Sequence, residues 1–543
     1  MLKDLERWIG VFGEEAAEKK LLALRWADRR RPRTAKGLHR LHDLLLILRA
    51  WPDSPAVLAA AEKALARFSA GAHRARLADS GIAGTETRDR FFYELAGWLA
   101  SRWPDRRRRD GGDLEGPSCL DDLLPHFGVR AELPGLEQCD FGLKEWVERM
   151  RGPFETDAAF LVRRLRSLPA GDLLKEELFD RADLPFRLLP GPDTPSRTRE
   201  RLPRRTVAYQ SGPLDRSRPD LSKLLRRPDV RIRAVPPRQA REICDLARGA
   251  MAVRHRDLEA FAQADPRDVR LADGEAGMQV ALIGVRPERR FLLETIYGYL
   301  LLKNGVLVGY GTGIGLFRSC EIAFNLLPPF RGYEASRLYA FVLCAFRTLF
   351  DCDTFTVDPY QIGEDNDEAL DSGAWWFYAK LGFRPFDDDA KRLAKRELDA
   401  VKRKPSHRTS RPNLVRLARA PLFLQAGRAR RDVLGVVDLA GVGLAVSALL
   451  AERFGSRREE GERALAREAA ALLGARNGPG FRAWGPLVLA LPGVETWPAA
   501  ARRALAGVVQ AKAGRRESDY LLRFDAHGRL REAVLDLARA HAP

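Results

Sequence analysis

The chain has 543 residues, with 92 Lys and Arg against 74 Asp and Glu, and a formal net charge of +18. This length predicts several domains, each large enough to bury its own core. The basic excess admits a nucleic-acid-binding protein, but no recognition motif accompanies it, so we favour a compositional bias. The six cysteines form no Cys-x-x-Cys pair and have no histidine at metal-ligand spacing, and we therefore expect no bound metal.

Two features of the sequence bear on location. The first twenty residues are too highly charged for a signal peptide. The longest apolar run, 433–450, is interrupted by Asp438 and three glycines, so it does not predict a membrane-spanning helix. We expect a cytoplasmic protein without a membrane segment.

Residues 1–183 are predicted to be a mainly helical N-terminal region. Leucines between Leu38 and Leu48 follow helical spacing, and a second helix is predicted over 54–68, with Ser54 as its N-cap. A third, amphipathic helix is predicted over 88–103, and the arginine run 106–109 is typical of a solvated loop.

The composition changes over 184–229, where Pro, Arg, Ser and Gly dominate. This pattern is typical of a linker or an extended arm, with a short strand predicted over 206–209. Such a segment either separates two domains or lies over a neighbouring cleft.

Residues 230–388 alternate between strand and helix patterns. The Asn304-Gly305 pair between two apolar runs is a strong hairpin signal, because both residues tolerate positive φ. Four glycines at alternate positions, 309 to 315, lack the helix that a dinucleotide fingerprint requires, and we predict a bent or bulged strand end there. Strands are predicted over 230–234, 278–284, 297–303, 306–310, 321–327 and 354–357, and helices over 238–261, 331–346 and 371–381.

The last part of the chain is predicted to be helical again. Residues 389–412 are predicted to continue a charged helix into a linker, and 413–543 to form a helical C-terminal region without a catalytic constellation. Helices are predicted there over 439–454, 457–473, 499–512 and 530–541.

Two local motifs in the central region carry a family resemblance. The first is F-R-G-Y-E-A-S-R from Phe330 to Arg337, and the second is A-W-W-F-Y-A-K-L-G-F from Ala374 to Phe383. Together with the element order, these motifs resemble the acyl-CoA-binding half of the GNAT-type N-acetyltransferase superfamily. The resemblance implies an α/β fold: a GNAT-like mixed sheet with helices on both faces, flanked by two mainly α-helical regions.

The resemblance also implies a site for acetyl-CoA or another acyl-CoA as co-substrate. The turn before the helix would hold the pyrophosphate, since backbone N–H groups at a helix start favour anions. A backbone N–H near Leu326 would polarise the thioester, and Asp371 stands where many members have a cofactor-contacting asparagine. The implied residues of the turn are Arg331, Gly332, Tyr333, Glu334, Ala335, Ser336 and Arg337.

Two residues are implied in catalysis. Glu321 lies where some members place a general base, although a carboxylate at a strand start also suits a surface ion pair. Tyr378 matches the tyrosine that protonates the departing thiolate in the family, although it also suits a half-buried aromatic on an amphipathic helix. The acidic segment 358–370 is either a solvated loop or an attraction for a cationic amine.

The expected function is acyl-CoA-dependent N-acyl transfer, and N-acetyl transfer is the first reaction to consider. The acceptor is a small-molecule or protein amine, which the sequence does not identify. The alternative is a GNAT-derived binding or regulatory protein without catalysis. Glu334 and Ser336, which replace the usual glycines, favour that alternative, whereas Tyr378 and its motif favour the enzyme. A nucleic-acid partner for the basic arm is a third possibility.

Overall fold

The structure is a computed structural model, and it describes residues 2–29, 31–70, 74–109, 119–204, 206–256 and 258–542. Its contacts divide the chain into two compact units. The first unit comprises Met1–Pro213, Glu242–Gln263 and Asn304–Val306, and the second comprises Leu214–Arg241, Ala264–Lys303 and Leu307–Pro543. The division differs from the predicted one, because the charged helix, the following linker and the C-terminal helices belong to the same unit as the sheet.

The first unit is mainly helical, as its sequence predicts, and it also contains a small antiparallel sheet with the strand order β1-β3-β2. Ser54 caps its helix as predicted, since its Oγ accepts a hydrogen bond of 3.3 Å from the Val57 N–H. The elements of its first segment, Met1–Pro213, are α1 (Leu2–Trp8), α2 (Glu14–Arg29), α3 (Ala35–Ala50), α4 (Pro55–Ala66), β1 (Thr87–Asp89), α5 (Tyr93–Arg102), β2 (Arg107–Arg109), α6 (Cys119–Phe127), α7 (Leu133–Gln138), α8 (Leu143–Arg151), α9 (Asp157–Arg166), α10 (Asp172–Ala182) and β3 (Phe186–Leu188).

The next elements in the chain lead from the arm through the central sheet. They are α11 (Leu221–Arg226), β4 (Arg231–Ala234), α12 (Pro237–Ala252), α13 (Glu259–Ala262), β5 (Ala264–Asp273), β6 (Met278–Val285), β7 (Thr295–Lys303), β8 (Val306–Leu316), β9 (Ser319–Leu326), α14 (Ala335–Phe350), β10 (Thr354–Val357), α15 (Pro359–Ile362), α16 (Asp367–Ser372), α17 (Ala374–Lys380) and β11 (Arg384–Pro385).

The remaining elements belong to the second unit. They are α18 (Asp388–Arg403), α19 (Arg411–Ala418), β12 (Leu422–Gln425), α20 (Ala440–Phe454), α21 (Arg458–Leu472), α22 (Pro479–Ala490), α23 (Ala499–Lys512), α24 (Glu517–Ala526) and α25 (Gly528–Ala540).

The central sheet has nine strands in the order β11-β12-β10-β9-β8-β7-β6-β5-β4. Strands β9 and β10 pair in parallel, whereas β8 with β9 and β10 with β12 pair antiparallel. The mixed sheet with its helices confirms the mixed α/β class. The predicted hairpin is also confirmed, since Asn304 and Gly305 have φ of +51° and +78°.

Several predicted elements are wrong in extent. The predicted helix 88–103 begins only at Tyr93, because Thr87–Asp89 pairs with β3, and the predicted loop 106–109 contains strand β2. Residues 206–209 form no strand. The predicted helix 238–261 is two helices, and the predicted helix 371–381 is interrupted at Gly373, whose φ is +65°.

Buried polar contacts join the C-terminal helices to the central sheet. Glu517 at the start of α24 pairs with Lys512 at 2.7 Å and accepts a hydrogen bond of 3.3 Å from the Ile296 N–H of β7. The Arg270 guanidinium of β5 donates to the Ser518 Oγ at 2.6 Å. Since Glu517 and Ser518 are buried, separating the helices from the sheet would leave the Ile296 N–H and the Arg270 guanidinium without these hydrogen-bond partners.

The alternate glycines lie on β8, and the predicted bend or bulge is wrong. Strand β8 pairs with β9 in an unbroken register from Gly309↔Leu326 to Leu316↔Ser319. A Cβ at Gly313 would lie 2.2 Å from the Phe346 ring of α14, and one at Gly315 would lie 2.9 Å from the Phe350 ring. The glycines therefore let the aromatic side chains of α14 pack directly on the strand.

We expect Gly313→Ala to lower the free energy of unfolding by about 3 kcal/mol, because the Phe346 ring has to shift in a packed core. Gly443→Ala on α20 is the matched control, since its Cβ meets no atom within 4 Å. That substitution should be neutral or stabilising by up to about 1 kcal/mol. Urea unfolding of both variants tests this, and equal stabilities would contradict the close approach.

Candidate functional site

The parallel pairing of β9 and β10 stops in the middle of β9. Its last partners are Thr356 and Glu321, and β9 continues for five more residues to Leu326. Beyond this point the Phe324 N–H donates to the Gln361 Oε1 at 3.3 Å instead of to β10. Because N–H groups alternate in direction along a strand, the Leu326 N–H points to the same side as that of Phe324. The separated strands thus present backbone donors to the space between them.

Gln361 is a candidate site residue that the sequence motifs did not predict. It lies in α15, directly after β10. Its side-chain oxygen accepts the hydrogen bond from the Phe324 N–H that a β10 carbonyl would accept if the two strands stayed paired. The only sequence signal is a polar residue close behind the carboxyl end of a buried strand, where α/β sheets often bind ligands.

Glu321 lies at the last paired position of β9, and its carboxyl is largely buried. Burial, followed by the charges of Asp358 and Glu294, raises the pKa of Glu321 to about 7. A carboxyl group with this pKa is partly ionised near neutral pH and can both accept and release a proton. The alternative of an ordinary surface ion pair does not fit this environment, because the neighbouring charges have the same sign.

Tyr378 lies on α17 within a cluster of aromatic side chains. Its ring meets Tyr339 edge-on at a centroid distance of 5.5 Å and Phe383 at 5.8 Å. Tyr339 in turn contacts Phe324 of β9 at 4.8 Å. Burial raises the pKa of Tyr378, so its phenol is protonated at neutral pH and can act as a proton donor.

The aromatic cluster around Tyr378 extends to residues next to Glu321 on β9. After burial, the phenols of Tyr378 and Tyr299 and the thiol of Cys320 are the groups that raise the pKa of Tyr339. Cys320 precedes Glu321 on β9, and the Tyr299 hydroxyl donates to the Ala323 carbonyl at 2.8 Å. Both predicted catalytic residues therefore lie around the segment of β9 that has separated from β10.

The turn between β9 and α14 contains the predicted phosphate-binding residues. Gly332 has φ of +90°, and Glu334 has φ of +49° directly before Ala335 begins the helix. Arg331 is exposed: its Nε lies 3.3 Å from the Leu326 carbonyl, and its Nη2 lies 2.8 Å from Glu368. Tyr333, Ala335 and Ser336 are half-buried.

Glu334 occupies a left-handed backbone position, where glycine is favoured. Its side chain is 5% exposed, and its Oε2 lies 3.2 Å from the Nζ of Lys303, which is 2% exposed. The Oε1 lies 3.5 Å from Arg337, which also approaches Asp215 and Glu275. The Glu334 carboxylate is therefore engaged in a buried ion pair with β7.

Asp371 and Ser336 line a second feature, the α17 cleft, which has a volume of about 730 Å³. Asp371 is exposed at the end of α16 and pairs with Arg411 at 2.5 Å. Trp376 and Lys380 contribute one wall of the cleft, and Arg218 and Arg408 lie at other positions around it. The sequence motifs did not identify Arg218 and Arg408, because both lie far from the motifs in the chain.

Comparisons with protein-family models, with curated proteins and with solved structures find no match to this chain. Within the residues that the structure describes, no group of three or more His, Cys, Asp or Glu side chains is arranged to hold a metal ion. Across the same residues, no helix combines the length and apolarity needed to cross a membrane.

We expect Glu334→Gly to destabilise the protein by about 2 kcal/mol. Breaking a buried ion pair costs at least about 3 kcal/mol, and removing the left-handed strain returns about 1 kcal/mol. Lys303→Met combined with Glu334→Gly should recover most of the loss, because no buried ammonium then lacks the carboxylate. Thermal unfolding gives the stabilities of the native chain, of Glu334→Gly and of the double variant. A Glu334→Gly variant more stable than the native chain would contradict the ion pair.

Proposed function

We propose that this chain is an acyl-CoA-dependent N-acyltransferase of the GNAT type, with acetyl-CoA as the first co-substrate to test and an amine as acceptor. The observation that carries the proposal is Glu321: a largely buried carboxyl with a pKa of about 7, at the point where two parallel strands separate. The family resemblance implies a general base and a backbone donor for the thioester at this place in the sheet.

The residues around β9 can divide the chemistry of acyl transfer between them. Glu321 takes a proton from the ammonium form of the acceptor, directly or through water, and so frees the nitrogen lone pair. The Leu326 N–H points into the gap and can donate to the thioester oxygen as charge develops there. Tyr378 gives its proton to the departing sulfur, and the second proton that the nitrogen loses as the amide forms returns the Tyr378 phenolate to its neutral form. One C–N bond forms, one C–S bond breaks, and the products are an amide and the CoA thiol.

The charges near Glu321 favour an amine acceptor. Asp358 and Glu294 are close enough to raise the pKa of Glu321. Three carboxyl groups in one region attract a cationic substrate and repel an anionic one. A polyamine or a lysine side chain has the chemistry that this region accepts.

Glu334 replaces a glycine that is usual in the family, and this difference is compatible with a bound co-substrate. An exposed carboxylate at this position would repel the phosphates, but this one is buried against Lys303. The Gly332 backbone is in the conformation for which glycine is suited. Repulsion at the turn, which favoured the binding or regulatory alternative, is thereby reduced.

We expect the rate of acyl transfer to rise with pH through about 7, because Glu321 acts only after it has lost its proton. Glu321→Gln should lower kcat/KM by about a hundredfold or more and abolish this pH dependence. Thiol release from acetyl-CoA, measured with a polyamine and with a lysine-containing peptide, provides the assay. Glu459→Gln, at an exposed position of α21, is the control. Native rates and an unchanged pH profile in Glu321→Gln would contradict the assignment.

We expect Tyr378→Phe to lower kcat by at least about tenfold while the Kd for acetyl-CoA stays within about twofold, because only the proton donor is removed. Tyr339→Phe removes a buried hydroxyl from the same aromatic cluster and should leave kcat nearly unchanged. Single-turnover kinetics and calorimetry give the two quantities. An equal loss of turnover and affinity in Tyr378→Phe would indicate a packing role instead.

A further inference from the structure

Positive charge is concentrated in the part of the second unit that contains α18 and α19. Residues 391–419 include eleven Lys and Arg against two Asp and Glu, a net charge of +9. The whole chain has a formal net charge of +18. This short stretch therefore carries a charge equal to half of the total, which a bias spread evenly along the chain does not produce.

Four cations share one side of α18. At 3.6 residues per turn they fall within about 120° of the helix circumference. The opposite side packs into the fold, where Leu393 and Ala394 are buried. We call the four exposed cations the α18 basic face: Lys395, Arg396, Lys402 and Arg403.

The α18 basic face has little counter-charge. Within the described ranges of the chain, Lys395, Arg396 and Arg403 form no ion pair with a carboxylate. Lys402 lies 3.8 Å from Asp399, and both side chains of this pair are exposed. Because an exposed pair at this distance contributes little, most of the positive charge is available to an anionic partner.

An open groove lies beside this face, between α18 and the start of α19. Its volume is about 820 Å³. Three of the four cations border it. The polar side chains that line the groove are Arg396, Lys402, Arg403, Glu397, Asp399 and Asn413.

The Glu397 carboxylate in this groove is already occupied by neighbouring groups. It is 7% exposed, and its Oε2 contacts His407 at 2.7 Å and Thr409 at 2.8 Å. Asn413 of α19 donates to its Oε1 at 2.8 Å. These contacts fix the loop 404–410 and the start of α19 against α18, so the groove has connected walls.

The arm that the sequence suggested for a nucleic-acid partner is placed differently. Arg199 donates to the Thr194 carbonyl at 2.6 Å, and Arg201 pairs with Glu62. These arginines are engaged in contacts within the first unit. The α18 basic face presents charge that has no such partners.

The composition of this surface distinguishes between anionic partners. Residues 388–419, all of which the structure describes, contain no Phe, Tyr or Trp, so the surface lacks the aromatic rings on which unpaired bases stack. No large apolar side chain is exposed in this range, so α18 lacks the free apolar side with which a helix enters a lipid interface. From Lys395 to Arg403 the helix rises about 12 Å, a length that spans several phosphates of a nucleic acid and exceeds a single small anion.

We propose that the α18 basic face and its groove bind double-stranded DNA through the phosphate backbone. The major groove of B-form DNA is about 12 Å wide, admits an α-helix and has phosphates along both edges. The deep, narrow major groove of duplex RNA does not admit side chains. This inference is independent of the proposed function, because it uses none of the residues assigned to acyl transfer.

The test is the fluorescence anisotropy of a labelled DNA duplex of about 20 base pairs, titrated with the full chain at about 50 mM and about 200 mM salt. Arg396→Gln combined with Arg403→Gln removes two charges of the face. Arg463→Gln combined with Arg467→Gln is the matched control, because these arginines are exposed on α21 and, in the described part of the chain, also lack an ion pair. Arg396→Lys combined with Arg403→Lys keeps the charge of the face. Thermal unfolding confirms that each variant is folded.

We expect the native chain to bind the duplex at the lower salt concentration and to bind it more weakly at the higher one. The Arg396→Gln, Arg403→Gln variant should bind at least about tenfold more weakly, and the slope of log K against log salt should become shallower by about 2, since two phosphate contacts are lost. The α21 control should bind within about twofold of native, and the lysine variant within about threefold.

Three results would overturn the proposal. The first is the absence of duplex binding by the native chain at about 50 mM salt. The second is native affinity in the Arg396→Gln, Arg403→Gln variant, or an equal loss in the α21 control, which would indicate a response to net charge alone. The third is tighter binding of duplex RNA, of single-stranded DNA or of phosphatidylserine vesicles than of duplex DNA, which would indicate a different partner.

Discussion

The parallel pairing of β9 and β10 ends at Glu321 and Thr356, and the arrangement of the proposed site depends on this ending. If the two strands had stayed paired, the N–H groups of Phe324 and Leu326 would have entered the sheet ladder. Instead, Gln361 satisfies the first of these donors and leaves a gap between the strands. The glycines of β8 allow α14 to lie directly on the sheet, which places the turn before α14 beside that gap. The early end of the β9–β10 pairing therefore determines where the proposed acyl-transfer site lies in the sheet.

The charged side chains around the proposed site fall into two groups. Around Glu321 the neighbouring groups are carboxyls, and the pKa of Glu321 rises to about 7 as a result of burial and of these neighbours. The α17 cleft is lined by the cations Arg218, Lys380 and Arg408 and by the Asp371 carboxylate, which is paired with Arg411. Two regions of opposite charge within one unit suit a reaction that joins a cationic acceptor to a polyanionic donor. Glu334 does not disturb this division, because its carboxylate is paired with the buried Lys303.

Much of the central fold could be predicted from the sequence, because strong local signals mark it. The Asn304-Gly305 turn and the apolar strands β6, β7 and β10 are examples. Strand β5 could not be predicted, since its sequence ADPRDVRLAD is charged and contains a proline. It is stable there because the Tyr297 hydroxyl donates to the buried Asp268 carboxylate, and Arg270 contacts Ser518. Such long-range partners cannot be identified from a local pattern.

The candidate site, like the fold, could be predicted only where a local sequence motif marks it. The resemblance predicts Glu321, Leu326, the turn residues and Tyr378 as site residues, and the fold places them around one end of β9. The motifs did not identify Gln361, Arg218 or Arg408, because each of these depends on where a loop returns to the sheet. The resemblance also predicts a co-substrate contact for Asp371, whose carboxylate is paired with Arg411 at the edge of the cleft.

Amide hydrogen exchange with and without acetyl-CoA tests the proposed thioester site, because it reports on the backbone donors themselves. We expect slower exchange in peptides covering 322–337 and 371–382 when acetyl-CoA is present, and unchanged exchange in helix α21. Unchanged exchange across 322–337 at saturating acetyl-CoA, or protection confined to other parts of the chain, would contradict a thioester site between β9 and β10.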